Sequence, residues 1–272
     1  PPCTEAIIQA GVRRVVAGCA DPNPKHRGRG FAILRRRGIA VTVGVEREAA
    51  ERLLEGFSMW ITAHRPWIAL KLAMSLDGRI ADPAGHSRWI TSAASRRRVQ
   101  AERRRADAIM VGVGTVLADD PCLLPRPARG RSPWRVVLDT RGRTPPGARL
   151  VSDAYADRTL VLVGETCPPA RDRRLSRYGA TVVRLPVERP GGRVDLAAAA
   201  RALADRGILR VLCEGGSTVA GALLARGLAD ELLLMYAPCV LGADGHPAVG
   251  WPGWPLPRAP RFRPAARGVH GN

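Results

Sequence analysis

The segment best suited to hold a ligand is Val211-Leu212-Cys213-Glu214-Gly215-Gly216-Ser217-Thr218, which runs into the apolar stretch 219–224. An apolar strand ends there in a glycine pair and turns straight into a helix. Glycine allows close backbone approach and torsions that other residues avoid. The start of a helix offers unpaired N–H groups and the positive end of the peptide dipole, so a phosphate fits there. Ser217 and Thr218 add hydroxyls. The spacing is neither Gly-x-Gly-x-x-Gly nor a Walker loop. On spacing alone, a phosphate cradle and a plain strand–helix turn capped by Ser or Thr stand even.

Three further segments carry groups for which a core has little use. Leu70-Lys71-Leu72-Ala73-Met74-Ser75-Leu76-Asp77-Gly78-Arg79 sets a lysine inside an apolar strand. That is costly unless the ammonium is paired, functional, or at the strand's edge in water. Lys71 and Asp77 in one loop would suit a polar active-site wall. Ser87-Arg88-Trp89-Ile90-Thr91-Ser92 offers a tryptophan that either stacks on a flat ring or packs a helix onto the core. Gly112-Val113-Gly114-Thr115-Val116-Leu117-Ala118-Asp119-Asp120-Pro121 places two glycines at a strand end before an Asp pair, a polar lip for a cleft. No His or third acid stands there at metal-ligand spacing.

A layered α/β frame must position these groups. Residues 1–62 read as helix 4–11 with Thr4 as cap and Gly11 as stop, strand 13–17, loop Asp21-Pro22-Asn23-Pro24, helix 30–37 ended by Gly38, strand 39–43 and helix 47–62. His64-Arg65-Pro66 is the expected linker, giving domains at 1–64 and 65–272. The second domain reads as strand 67–73, a turn at 74–78 into further strand, a basic helix 92–105, strand 108–112, helix 114–118, and strands 134–139, 159–163 and 182–185. Helix 196–205, strand 210–214, helix 218–226 and strand 231–236 follow. Residues 242–272 are rich in Pro, Gly, Arg and Trp with little periodicity.

The 272 residues allow one large or two modest cores. No apolar run is long enough for a transmembrane helix, so no membrane partner is expected. The formal charge of +19 invites nucleic acid, but only Lys25 and Lys71 are lysines. The arginines are spread along the chain rather than striped with aromatics, so solvated surface arginines are the plainer reading and no nucleic-acid partner is expected. Cys3, Cys19, Cys122, Cys167, Cys213 and Cys239 form no Cys-x-x-Cys pair. Cys19, Cys213 and Cys239 read as small core residues. With no secretory signal, a reduced cytoplasmic chain is expected.

Lys71 through Arg79, Trp89-Ile90-Thr91-Ser92, Gly114 through Pro121, Leu138-Asp139 and Glu214-Gly215-Gly216 occur in this order and spacing. From about residue 65 to about 242 they resemble the reductase domain of the bifunctional riboflavin-biosynthesis deaminase/reductase family. The resemblance implies a dihydrofolate-reductase-like α/β domain with a mixed central sheet, a homo-oligomer, and NADPH-dependent reduction of 5-amino-6-(5-phosphoribosylamino)uracil to its phosphoribitylamino product. It places NADPH against Ala73, Trp89, Thr115, Asp119 and Thr140, and along Gly216, Ser217, Thr218, Val219, Ala220, Gly221 and Ala222. It places the substrate against Ser87, Arg103, Leu123, Arg126 and Glu214. Arg103 and Arg126 suit a ribose 5-phosphate, since guanidinium pairs with phosphate in bidentate fashion. Glu214 can accept from pyrimidine N–H groups. Thr140 and Arg141 stand ready for the 2′-phosphate of NADPH. The implied step opens the ribose to an imine and delivers hydride to C1′, with Lys71, Asp119 or a water as proton donor. Two departures stand out: Leu124-Pro125 before Arg126, where proline fixes φ and removes a donor, and the segment 250–272, which lacks the family's final strand pair.

Pro1-Pro2-Cys3 followed by an apolar helix and Asp21-Pro22-Asn23-Pro24 resembles the C-terminal half of that family's cytidine-deaminase-like domain, which holds zinc through a His and two Cys with a Glu as proton shuttle. Cys3 matches the last ligand. His26, His64, His86, His246 and His270 lie outside any such motif. One ligand does not hold catalytic zinc, for which three protein ligands are usual. Zinc and deamination are therefore expected only with an upstream segment, and a start without Met reads as a fragment. A different reading is a non-catalytic remnant whose arginine-rich surface binds anionic partners such as RNA. A third is a dihydrofolate-type reductase acting on another pteridine or pyrimidine.

Overall fold

The computed structural model describes residues 2–127, 130–189 and 192–269. His270, discounted above as a zinc ligand, and the end of the irregular tail lie outside them. The chain divides into two units, 1–67 and 68–272, close to the expected linker.

In the first unit, α1 (Cys3–Gln9), β1 (Arg14–Ala17), α2 (Arg29–Arg36), β2 (Ala40–Val43) and α3 (Arg47–Ala63) alternate. β1 and β2 pair in parallel from Arg14 opposite Ala40 to Ala17 opposite Val43. Thr4 is not a cap. The helix begins one residue earlier, behind Pro2 and with no side-chain cap. Parallel strands are normally covered on both faces, yet Leu34 and Ile39 are the only buried hydrophobics among the unit's described residues.

The second unit holds β3 (Trp67–Ser75), β4 (Arg79–Ala81), α4 (Ala93–Arg105), β5 (Ala108–Gly112), α5 (Val113–Asp119), β6 (Trp134–Leu138), α6 (Arg149–Ser152), β7 (Thr159–Gly164), α7 (Pro169–Ser176), β8 (Thr181–Leu185), α8 (Leu196–Ala204), β9 (Arg210–Cys213), α9 (Ser217–Ala225), β10 (Glu231–Ala237) and β11 (His246–Pro247). The seven-stranded sheet runs β10-β3-β9-β5-β6-β7-β8. Its pairings β10–β3, β5–β6, β5–β9, β6–β7 and β7–β8 are parallel, so the expected mixed sheet is mostly parallel. The short antiparallel pair β11–β4 lies outside it.

Period-two alternation sends successive side chains to opposite faces. Leu160 and Leu162 join Leu70, Leu72, Val211 and Cys213 in one core with residues of α8 and α9. Val161 and Val163 join Ile109, Val111 and Val137 in the other, with residues of α6 and α7. Burial pushes the Cys213 thiol up to about 12, as expected of a small core residue. Cys19 and Cys239 are only half-buried, whereas Cys167 is buried. Two helices carry true side-chain caps. Ser92 accepts from Ser95 N–H at the start of α4, and Asp195 accepts from Ala197 and Ala198 N–H at the start of α8.

Arg135 is the largest side chain wholly sealed in the core. Its Nη1 and Nη2 donate to Asp153 at 2.7 and 2.8 Å, and Nη2 also donates to the Leu150 carbonyl at 2.7 Å. Breaking a buried pair strands an uncompensated charge. Asp153→Ala is therefore expected to cost about 3–5 kcal/mol, read as a lowered urea midpoint with an unchanged slope. A loss below about 1 kcal/mol would show that the pair is not what holds β6 to α6.

Candidate active site

The site begins with Glu214, one residue past β9. Its backbone N–H donates to the Met110 carbonyl at 2.9 Å, so the β9–β5 pairing continues through this residue. The alternation that sends Val211 and Cys213 into the core under α9 turns Leu212 and Glu214 toward α4. On β3, Lys71 and Ala73 alternate with the buried Leu70, Leu72 and Met74 and so share one face. Arg103 on α4 completes the group. Its Nε and Nη2 donate to the two Glu214 oxygens at 2.6 and 3.0 Å, and its Nη1 donates to the Leu124 carbonyl at 2.9 Å. Lys71 Nζ lies 3.6 Å from Glu214 Oε2, and the Lys71 and Glu214 side chains are 16 and 9 % exposed. Burial works against the Glu214 charge. Lys71 and Arg103 together outweigh it and hold the carboxyl below the usual carboxylate range.

The glycine pair does two different jobs. A Cβ on Gly215 would sit 2.7 Å from Gly112 N and 2.7 Å from Val111 Cα, so this position admits no side chain. A Cβ on Gly216 would meet nothing nearer than Thr115 Oγ1 at 3.6 Å. Gly216 therefore leaves open the space before the α9 N-terminus, which is the cradle that a phosphate requires.

Lys71, Glu214 and Gly216 line one cleft of about 1540 Å³. The cleft brings together Lys71, Ala73, Ser87 and Trp89 with Thr115, Asp119, Thr140 and Glu214. From α9 it takes Gly216, Ser217, Thr218, Val219 and Ala222. Trp89 is 70 % exposed and is not core packing, and the Arg96 guanidinium lies 4.4 Å from its ring centroid. Asp119 accepts from Arg88 Nη2 at 3.1 Å. Thr140 Oγ1 accepts from Val194 N–H at 3.0 Å. Arg141, Arg143, Arg189 and Arg193 stand around this end of the cleft. Glu188 beside them is paired with Arg226.

Several of the expected residues lie outside the cleft lining or are engaged elsewhere. Ala220 is fully buried in the core and Gly221 packs against Gly250, so neither faces the cleft. A helix turns about 100° per residue, and seven consecutive positions cannot share a face. Arg103 is committed to Glu214 rather than offered to a phosphate. Leu123 is buried in the core shared with Val111 and Val137. Arg126 is exposed beside α4, with its N–H donated to Gln100 Oε1 at 2.7 Å, and it does not line the cleft. Asp77 is no active-site wall. It accepts from Ser75 Oγ at 2.6 Å, Leu241 N–H at 3.1 Å and Gly242 N–H at 2.8 Å, and the Ser75 hydroxyl leads in holding its carboxyl down at about 2. Cys3 is exposed, and among the described residues no three His, Cys, Asp or Glu side chains gather as metal ligands. The residues present do not fit a zinc centre. Sequence reasoning missed Arg96, Arg143, Arg189, Arg193 and Trp251. Their positions are scattered, and only the fold collects them.

A mostly parallel seven-stranded sheet with a glycine turn and a paired carboxylate at its carboxyl ends is an α/β arrangement of the dihydrofolate-reductase-like class. Residues 66–263 match the RibD C-terminal domain, reaching well beyond the point near 242 where the resemblance of motifs fades. The riboflavin biosynthesis protein RibD of Escherichia coli K12 is 39 % identical over 97 % of this chain and 73 % of its own length. RibD of Acinetobacter baumannii superposes with a TM-score of 0.81 at 32 % identity, covering 97 % of this chain and 71 % of that one. A Thermotoga maritima protein described as a diaminohydroxyphosphoribosylaminopyrimidine deaminase/5-amino-6-(5-phosphoribosylamino)uracil reductase superposes at 0.78 with 34 % identity, over 97 % of this chain and 70 % of that one. The chain belongs to the RibD family and carries its reductase domain. It spans roughly two-thirds to three-quarters of these relatives' length.

The two glycines separate experimentally. Gly215→Ala forces a Cβ into backbone and is expected to destabilise by about 1–3 kcal/mol, seen as a lowered Tm. Gly216→Val fills open cleft space and is expected to abolish dinucleotide binding in calorimetry while leaving Tm within a few degrees. Retained binding in that variant would reduce the turn to a structural role.

Proposed function

We propose that the cleft binds NADPH along the α9 turn and reduces 5-amino-6-(5-phosphoribosylamino)uracil to the phosphoribitylamino product. The observation that carries this reading is the convergence of Gly216, Lys71 and Glu214 on a single cleft, with Arg103 holding Glu214 from behind the lining. Ser217 and Thr218 with the free N–H groups of α9 would take the pyrophosphate. Ala73, Trp89 and Thr115 would line the nicotinamide, and Thr140 with Arg141, Arg143, Arg189 and Arg193 would take the 2′-phosphate. When bound, NADPH supplies the hydride; the protein's share is to orient and to exclude water.

Glu214, held ionised, accepts from the pyrimidine N–H groups. Arg103 aims that carboxylate and is a positioning residue. Lys71 carries a proton at Nζ beside Glu214, while Asp119 is engaged by Arg88 at the rim. Ser87, which lines the cleft, remains a candidate for the ribose phosphate. Deamination needs zinc ligands beyond Cys3 and belongs to a longer chain. No helix among the described residues is long and apolar enough to cross a membrane. A cytoplasmic homo-oligomer acting on a small molecule, without nucleic acid, completes this reading.

Removing the arginine rim tests the cofactor. Arg141→Ala with Arg193→Ala is expected to raise Kd for NADPH about 10- to 100-fold and to leave NADH within about twofold, measured by calorimetry. Equal loss for both dinucleotides would remove the 2′-phosphate assignment. For the wall, Arg103→Ala is expected to raise KM equally for the phosphorylated and dephosphorylated pyrimidine, because it misaims Glu214. Lys71→Met lowers kcat by about 100-fold or more. A KM effect of Arg103→Ala confined to the phosphorylated substrate would return Arg103 to the phosphate.

A further inference from the structure

The tail that breaks the periodicity of the sequence reaches the cleft. β11 pairs with β4, and Ala248 N–H donates to the Gly78 carbonyl at 2.9 Å. Gly250 N–H then donates to the Ser217 carbonyl at 2.9 Å, at the first residue of α9. The approach is so close that a Cβ on Gly221 would lie 2.5 Å from the Gly250 carbonyl oxygen and 3.2 Å from Trp251 Cβ. Two anchors therefore fix the backbone that delivers Trp251, which lines the cleft and is 39 % exposed. Trp254 stacks behind it, with centroids 6.0 Å apart and planes 18° apart. An indole that stacks on a second indole and also lines an open cleft suits a ring-stacking platform rather than core.

We propose that Trp251 is a cofactor-contacting residue that covers the nicotinamide half of the bound dinucleotide. The assignment rests on the reading of the cleft as an NADPH site. The choice of half follows from α9. Val219, Ala222 and Arg226 line the cleft, Val219 lies against Gly112 at the end of β5, and Arg226 pairs with Glu188 among the arginines. Ser217 and Gly221, which carry the tail, lie on the opposite flank by helical geometry. The tail carried on that flank pairs through β11 with β4, which follows β3, the strand that bears Lys71 and Ala73. A large apolar ring there also excludes water from the reacting carbon, which hydride transfer requires.

The test compares NADPH with 2′-phospho-ADP-ribose, which lacks the nicotinamide, by calorimetry on the whole chain. Trp251→Ala is expected to raise Kd for NADPH about 3- to 10-fold and to leave 2′-phospho-ADP-ribose within about twofold. Trp251→Phe is expected to recover most of the NADPH affinity. Unchanged NADPH binding in Trp251→Ala overturns the assignment. So does an equal loss for both ligands, which would report a disturbed tail. Failure of the unmodified chain to bind either ligand overturns the cofactor reading itself, and this inference with it.

Discussion

The charge on Glu214 is the constraint around which the reductase unit is organised. A carboxylate at the end of a central strand is tolerated only if the groups around it repay its lost hydration. Arg103 does so through two parallel hydrogen bonds and Lys71 through a looser ion pair. The three residues come from the end of β9, from α4 and from β3, and Lys71 and Glu214 stand 143 positions apart in sequence. The triad is thus satisfied only when helix and both strands are in register. The cost of an unpaired buried charge makes the active-site wall a test of correct folding as well as a binding surface.

The turn that follows obeys a second constraint. β9 and β5 lie so close beyond Glu214 that Gly215 contacts the backbone of Val111 and Gly112. Gly112 meets Val219 with equal closeness, since a Cβ there would lie 2.8 Å from Val219 Cγ2. The start of α9 and the start of α5 are therefore packed against each other across adjacent strands. This brings Thr115 to Gly216 and joins the cradle to the wall in one cleft. Gly215 is demanded by packing and Gly216 by what the cleft must admit.

Much of this was legible in the sequence because the signals were local. The strand–glycine–helix turn, the lysine in an apolar strand, and the short apolar strands at 108–112, 134–139 and 159–163 each occupy a short window. The partner of Arg103 was not legible. A guanidinium fits a phosphate and a carboxylate equally well, and only the fold shows which one stands within 3 Å. α6 and α7 escaped notice because they bury only Leu150, Val151 and Leu175, too few for a periodic pattern. The resemblance gave 216–222 as one run, and helical rotation turns Ala220 and Gly221 of that run away from the cleft lining. Trp251 was hidden because its tail is held by backbone contacts, which leave no mark in residue pattern.

The two units differ in how far they meet their own physical requirements. The reductase unit buries both faces of its main sheet, and every group of its cleft comes from residues 71–251. The first unit has two parallel strands, a helix α3 with no buried residue, and exposed Val16, Ile33, Val43 and Leu53. An isolated pair of parallel strands does not repay its conformational entropy without covered faces. Its one candidate metal ligand, Cys3, likewise finds no companions among the described residues. Burial and chemistry fail together there, because both depend on partners that these residues do not supply. In the reductase unit both requirements are met by residues 71–251: Glu214 is paired with Arg103 and Lys71, and the cradle and the arginines line one cleft.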